Sequence, residues 1–195
     1  MTTTLMWFRR DLRLADNPAL LAAIEEGDEG VVPVYVLDHP EWRDTRRAQR
    51  AYLSASIASF AERTKGLYVV TGNPAVELPR LAAKLGATRV HAAAAIDPLG
   101  RKRESAVARA LAEAGGELIV TGSPYAILPG RITKPDGDPY RVYKPFFRGW
   151  SDHGWRAPAP KATTHRWIIP SGSIALPQVD PPEGMTLPPA GEPAA

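Results

Sequence analysis

Through the first two-thirds of the chain, short apolar runs alternate with stretches of mixed polarity. Residues 5–8, 31–37, 67–70, 89–93 and 118–120 are mostly continuous apolar runs, the signature of strands whose two faces are both covered by helices. Helical patterns lie between them. Leu20, Leu21 and Ile24 form a stripe after Asn17-Pro18, and Leu78, Leu81, Ala82 and Leu85 recur at helical spacing after Asn73-Pro74. Each Asn-Pro pair reads as an N-cap followed by proline in the first helical turn. Leu53, Ile57 and Phe60 mark a third helix; Val107, Leu111 and Ala114 mark a fourth. Gly66, Gly86 and Gly115-Gly116 stand where these helices should stop. The β-α-β-α-β-α-β-α-β rhythm predicts an α/β, doubly wound parallel sheet with right-handed crossovers. It does not fix the strand order.

After Ser123 the rhythm ceases. Residues 130–140 are rich in turn formers, and Pro145-Phe146-Phe147-Arg148-Gly149-Trp150 has room for a short helix. Nine of the 20 prolines follow Trp155, which excludes a helix or a central strand there and predicts an extended segment. The expected organisation is an α/β domain over 1–130, a basic and aromatic segment packed on it over 131–157 with Pro145, Phe146 and Trp150 as anchors, and a linker over 158–195.

The 195 residues contain no cysteine, which removes disulfides, thiolate metal sites and thiol catalysis. No apolar run is long enough to span a bilayer, and the N-terminus lacks a secretory h-region, so a cytoplasmic location is expected. The formal net charge is +3, but residues 131–167 alone carry +5, from eight basic and three acidic side chains. Aromatic residues interleave this basic stretch, yet only weak or indirect DNA contact is expected from it.

Phosphate-binding loops are absent in their usual forms. No P-loop exists, and the first strand is followed by Phe8-Arg9-Arg10-Asp11-Leu12-Arg13 in place of a glycine turn. Ser171-Gly172-Ser173 is a weak phosphate-loop pattern within the proline-rich stretch. The arginine-rich turn should lie at the carboxyl ends of the strands, where doubly wound sheets bind ligands. Arg9, Arg10 and Arg13 either present guanidinium groups to a planar anionic ligand or pair with Asp11 and Asp16 to fix the loop. Asp38 ends the second strand and Asp97 follows the fourth. Each either meets a ligand or caps a helix. Arg50, with Arg46 and Arg47, opens the next helix, where either one inward side chain holds an anion or all three are solvated charges, the usual case. His39, His91, His153 and His165 show no metal-ligand spacing, and His91, inside a strand, reads as a core residue. No serine-nucleophile elbow is present.

The run from Leu5 to Leu20, LMWFRRDLRLADNPAL, resembles the opening of the DNA photolyase/cryptochrome family. So do residues 138–150, DPYRVYKPFFRGW, with Lys144 where threonine is common, and residues 97–104, DPLGRKRE. The resemblance runs in order over nearly the whole chain. It implies the family's Rossmann-like N-terminal domain with sheet order 3-2-1-4-5, so that the turn from Phe8 and the segment ending at Asp97 flank the crevice where the order reverses. There the family holds a light-harvesting antenna: methenyltetrahydrofolate, an 8-hydroxy-deazaflavin or a flavin. Leu99-Gly100 stands where folate-type members place Asn-Glu, which favours the deazaflavin or flavin. Phe8, Arg9, Arg10, Asp38, Arg50 and Asp97 are the implied cofactor-binding residues, and no metal is implied.

The family's catalytic FAD belongs to a C-terminal helical domain of more than about 200 residues, too large for this chain to include. Carbon–carbon lyase activity on pyrimidine dimers is therefore expected only with such a domain, on the same polypeptide or on a partner. The implied role is that of an antenna-binding domain passing energy to FAD. The alternatives are a cryptochrome-like sensory or interaction module, and a stand-alone nucleotide-binding α/β protein.

Overall fold

A computed structural model of the protein describes residues 2–162 and 165–194. Five strands, β1 (Thr3–Phe8), β2 (Gly30–Leu37), β3 (Tyr68–Thr71), β4 (Arg89–Ala92) and β5 (Glu117–Val120), form one all-parallel sheet ordered β3-β2-β1-β4-β5. Crossovers are made by α1 (Pro18–Glu26), α2 (His39–Asp44) with α3 (Arg47–Arg63), α4 (Pro74–Leu85) and α5 (Pro98–Glu113). This is the Rossmann-like arrangement and strand order expected.

Strand alternation builds two cores. In β1, Leu5 and Trp7 face Leu78, Leu81, Val107 and Leu111 of α4 and α5, while Met6 and Phe8 face Leu20, Ile57 and Phe60 of α1 and α3. Burial on both faces is why these strands read as unbroken apolar runs. The Asn-Pro signals are caps: Asn17 Oδ1 accepts from Leu20 N at 3.2 Å and Asn73 Oδ1 from Ala75 N at 3.0 Å. Gly86 ends α4 at φ 64°, a left-handed position where a β-carbon is costly. Helix α2 was not anticipated; its six residues carry no amphipathic repeat.

Proline at position 33 of a central strand is unusual, because it removes a ladder donor. Here β3 pairs only with residues 34–37 of β2. Below it, Val31 bonds the C-terminal segment instead, with Val31 N donating to Arg166 O and Ile168 N donating to Val31 O, both at 2.9 Å. Odd-numbered residues of β2 direct their polar groups to this side, so the missing N–H of Pro33 falls in the gap between the two partners.

The proline-rich stretch follows the domain surface closely. Ala162 N donates to Leu14 O, Ile174 N to Val69 O, and Ser173 Oγ receives Val69 N at 2.9 Å. The bonds at Val69 cover the outer edge of β3, which otherwise offers unpaired groups to another chain. Ser173 is thereby occupied, and the phosphate-loop pattern at 171–173 is a strand-edge cover. At the far end Glu192, in a 3-10 turn (Glu192–Ala194), accepts from Leu14 N at 2.8 Å, Ala15 N at 2.9 Å and the Arg63 guanidinium.

The segment 131–157 departs from expectation. Residues 143–153 form α6 (Tyr143–His153), but no residue of this helix is buried, so Phe146 and Trp150 do not anchor it on the sheet. It rests on the preceding turn, with the Tyr140 and Phe146 rings edge to face at 6.4 Å.

Burial of Glu192 opposes its ionisation, but the Leu14 N–H, Arg63 and the Ala15 N–H together hold its pKa below the ordinary glutamate value. A carboxylate depressed on folding contributes stability above its unfolded pKa, and that stability is lost as pH falls through the folded value. Glu192→Ala is expected to cost about 2 kcal/mol at pH 7, because it strands two N–H donors and a guanidinium. In urea unfolding as a function of pH, the gap between wild type and Glu192→Gln should narrow on acidification.

Candidate functional site

The order of the sheet reverses at β1, whose neighbours β2 and β4 send their crossovers to opposite faces. Beyond the carboxyl end of β1 lies the turn 9–17, built around Asp11, which is 4% exposed. One carboxylate oxygen of Asp11 receives Arg9 N at 3.0 Å and the other receives Asn17 Nδ2 at 3.3 Å. Arg13 closes the turn by donating to Asp16 O at 2.8 and 3.1 Å. Asp16, at φ 47°, receives Ala159 N at 2.8 Å and lies 2.7 Å from Arg156 Nη2. The Ala159 N–H foremost, with Arg156 and Arg13, lowers its pKa.

Of the sequence-derived residues, Phe8 is wholly buried, its ring 4.5 Å from that of Phe60. It leaves only backbone for a ligand. Arg9 points across to β4 and α5. Its guanidinium donates to Ala93 O, lies 2.6 Å from Glu104 Oε1 and stacks over Trp7 at 4.4 Å. Glu104 also receives Ala95 N at 2.6 Å. The Arg9 and Arg13 side chains are therefore engaged within the protein, but not through the expected pairing with the Asp11 and Asp16 carboxylates: Arg9 meets Glu104 and Arg13 the Asp16 carbonyl.

Arg10 is different, with a side chain 78% exposed and 3.8 Å from Asp97 Oδ2. An exposed pair of this length adds little stability, so Arg10 is available. Asp97 caps α5: its Oδ1 accepts from Gly100 N at 2.8 Å. That bond foremost, then Arg10 and Arg103, holds its carboxyl below the usual range. The second oxygen of Asp97 faces Arg10.

Asp38, directly after β2, pairs with Arg103 Nη2 of α5 at 3.2 Å, both side chains about four-fifths buried. Since β2 and α5 stand on either side of β1, this pair spans the end of the central strand. Arg103 and Glu104 were missed in the sequence because charges inside a helix read as a solvated face. Their one local sign is position, in the second turn after a cap at a strand end.

Helix α3 begins ten residues after β2 ends, on the same end of the sheet. Arg46 and Arg47 are exposed, while Arg50 turns inward and its Nε is buried with no hydrogen-bond partner among the described residues. Such a group has a cost unless something supplies an acceptor. Arg10, Asp38, Arg50, Arg103 and Asp97 thus come from segments at the carboxyl end of the sheet and give it a mixed-charge rim.

His91 is wholly buried, its Nε2 lying 3.3 Å from Glu26 without an aligned hydrogen bond. Burial foremost lowers its pKa against the opposing pull of Glu26. The side chain of His39 lies outside the described residues. Among the described residues no three His, Asp or Glu side chains gather as metal donors, and no helix is long and apolar enough to cross a membrane.

Fold and rim define a Rossmann-like domain with a charged rim at the sheet reversal and no phosphate-binding glycine turn after β1. Residues 4–164 match the DNA photolyase family model. The chain is 36% identical over 188 residues to a deoxyribodipyrimidine photo-lyase of Streptomyces griseus, covering 92% of this chain and 41% of that protein. A class III photolyase from Agrobacterium tumefaciens superimposes with a TM-score of 0.76 at 30% identity, over 90% of this chain and 37% of that one. An archaeal photolyase from Sulfolobus tokodaii, described with two FAD molecules, shares the fold at 19% identity and a TM-score of 0.75, over 90% of this chain and 40% of that one. The chain belongs to the DNA photolyase family, and it spans about two-fifths of the length of these relatives.

If Arg9 and Glu104 fix the sheet reversal, their replacement should be strongly non-additive. In a double-mutant cycle with Arg9→Met and Glu104→Gln, thermal or urea unfolding should give a coupling energy of about 1–3 kcal/mol. Arg10→Met, the exposed neighbour, should change stability by less than about 0.5 kcal/mol.

Proposed function

We propose that this chain is the antenna-chromophore-binding domain of a deoxyribodipyrimidine photo-lyase-like flavoprotein, holding a deazaflavin or flavin at the carboxyl end of its sheet. One observation supports this above the others. Arg50 keeps a buried, unpartnered Nε–H on the crossover that leaves the site. A deazaflavin or flavin offers the acceptors that such a group lacks, in its ring carbonyls and ribityl hydroxyls. Asp38 and Arg103 would face the ring's polar edge as a pair, one accepting and one donating. Arg10 and Asp97, nearer solvent, would meet the side chain. When bound, the pigment supplies near-UV and blue absorption and passes excitation onward. The protein would orient it.

The residues fit a folate less well. Leu99 is 62% exposed and apolar, and the N–H of Gly100 is already taken by Asp97. The FAD that would receive the excitation is assigned to a helical domain, on the same polypeptide or on a partner, as is most DNA contact. The two FAD molecules described for the Sulfolobus tokodaii photolyase accord with a flavin as the second pigment.

Reconstitution with 8-hydroxy-deazaflavin, FMN and methenyltetrahydrofolate tests the proposal. One of the first two should be retained through gel filtration with its absorption band. Asp38→Asn and Arg50→Met should each weaken binding about 10- to 100-fold, the loss expected for a charge-assisted hydrogen bond. The illuminated chain alone should leave pyrimidine dimers intact. Equal retention by both variants, or repair by the chain alone, would contradict the proposal.

A further inference from the structure

Helix α6 carries an aromatic stripe with nothing over it. Tyr143, Phe147 and Trp150 recur at i, i+4 and i+7, and Trp155 follows the helix. Their rings stack in a continuous ladder, with centroids 5.7, 6.2 and 4.5 Å apart and planes within 28°. Tyr143 is 71% exposed, Phe147 47% and Trp155 55%. Arg141, Lys144 and Arg148 beside them are exposed as well. A contiguous aromatic surface of this kind is rare on a finished monomer surface and marks a binding face. Aromatic rings flanked by arginine are also the residue types that dominate protein–protein interfaces.

We propose that the α6 ladder is the docking face for the polypeptide that the relatives possess beyond the matched region, the part we assign to FAD. Two observations select this occupant. The family match runs through α6, to residue 164, although none of the described residues buries the helix. Yet the Streptomyces griseus relative has 59% of its length outside the match, ample to supply the missing partner surface. Single-stranded nucleic acid is disfavoured by the ladder itself. Its rings turn faces toward one another, which leaves less open ring face for successive bases to stack on. The inference rests on reading the chain as part of a larger flavoprotein, but it does not depend on the antenna pigment.

The test is hydrogen exchange and hydroxyl-radical footprinting over residues 140–156. They are measured in the chain alone, with oligo(dT), and in a fusion to the part of the Streptomyces griseus photo-lyase beyond its matched region. In the chain alone, α6 should exchange freely at every protein concentration and be unaffected by oligo(dT). In the fusion, exchange should slow at least tenfold and Tyr143, Phe147 and Trp155 should resist oxidation. Phe147→Ser with Trp155→Ser should abolish that protection and leave the melting temperature of the lone chain unchanged, since no α6 residue is buried. The whole Streptomyces griseus photo-lyase, measured over its own stretch matched to α6, should show the same protection without any graft. Absence of protection in that whole protein overturns the proposal. So does protection of the lone chain that rises with its concentration, which marks a second copy as occupant, or protection by oligo(dT). Pigment retention is a separate readout, so docking and antenna binding succeed or fail independently.

Discussion

Glu104 receives Arg9 and the Ala95 N–H at the place where the sheet changes direction. A doubly wound sheet must open there, because its crossovers leave for opposite faces, and the exposed strand ends need partners. Most such folds use a glycine turn and the phosphates of a nucleotide. This chain uses its own ions. The Arg9 guanidinium, lying over Trp7 and donating to Ala93 O, closes the gap between β1 and β4 from within. A pyrophosphate has no place in that gap, and the pigment site we propose lies toward β2, where Asp38, Arg103 and Arg50 stand.

The C-terminal segment extends the same logic. It covers the edge of β3, completes the ladder beside Pro33 and returns to the arginine turn through Asp16 and Glu192. Gly191 follows from this return: at φ 93°, a β-carbon there would collide with Ser59. The turn that frames the ligand end is therefore held by contacts from residues almost 180 positions away. Loss of the segment should loosen the site as well as the fold.

Local physics made much of this legible in the sequence. Apolar runs gave the strands, Asn17 and Asn73 announced helices, and the loss of the alternating rhythm after Ser123 marked the end of the sheet. The family resemblance supplied the strand order, which periodicity does not encode. Long-range pairings stayed hidden. Nothing near Arg9 points to Glu104, nor near Asp38 to Arg103, because a charge inside a helix looks the same whether it meets solvent or a distant partner. The tail on β3 was invisible for a similar reason, since backbone bonding leaves no pattern in side chains. Burial of α6 failed differently. An apolar stripe shows which face seeks cover, and not whether this chain provides it.

The central claim is that Arg50 holds a donor in reserve for a pigment at the β2 side of the reversal. The arginine Nε–Hε resonance of Arg50 in a 15N-labelled sample reports on it directly. Titration with the retained deazaflavin or flavin should shift that resonance and slow its exchange with water, together with the Asp38 amide, while the indole signals of Trp150 and Trp155 stay in place. A pigment that binds while the Arg50 resonance does not move, with shifts gathered at another face, would contradict the account.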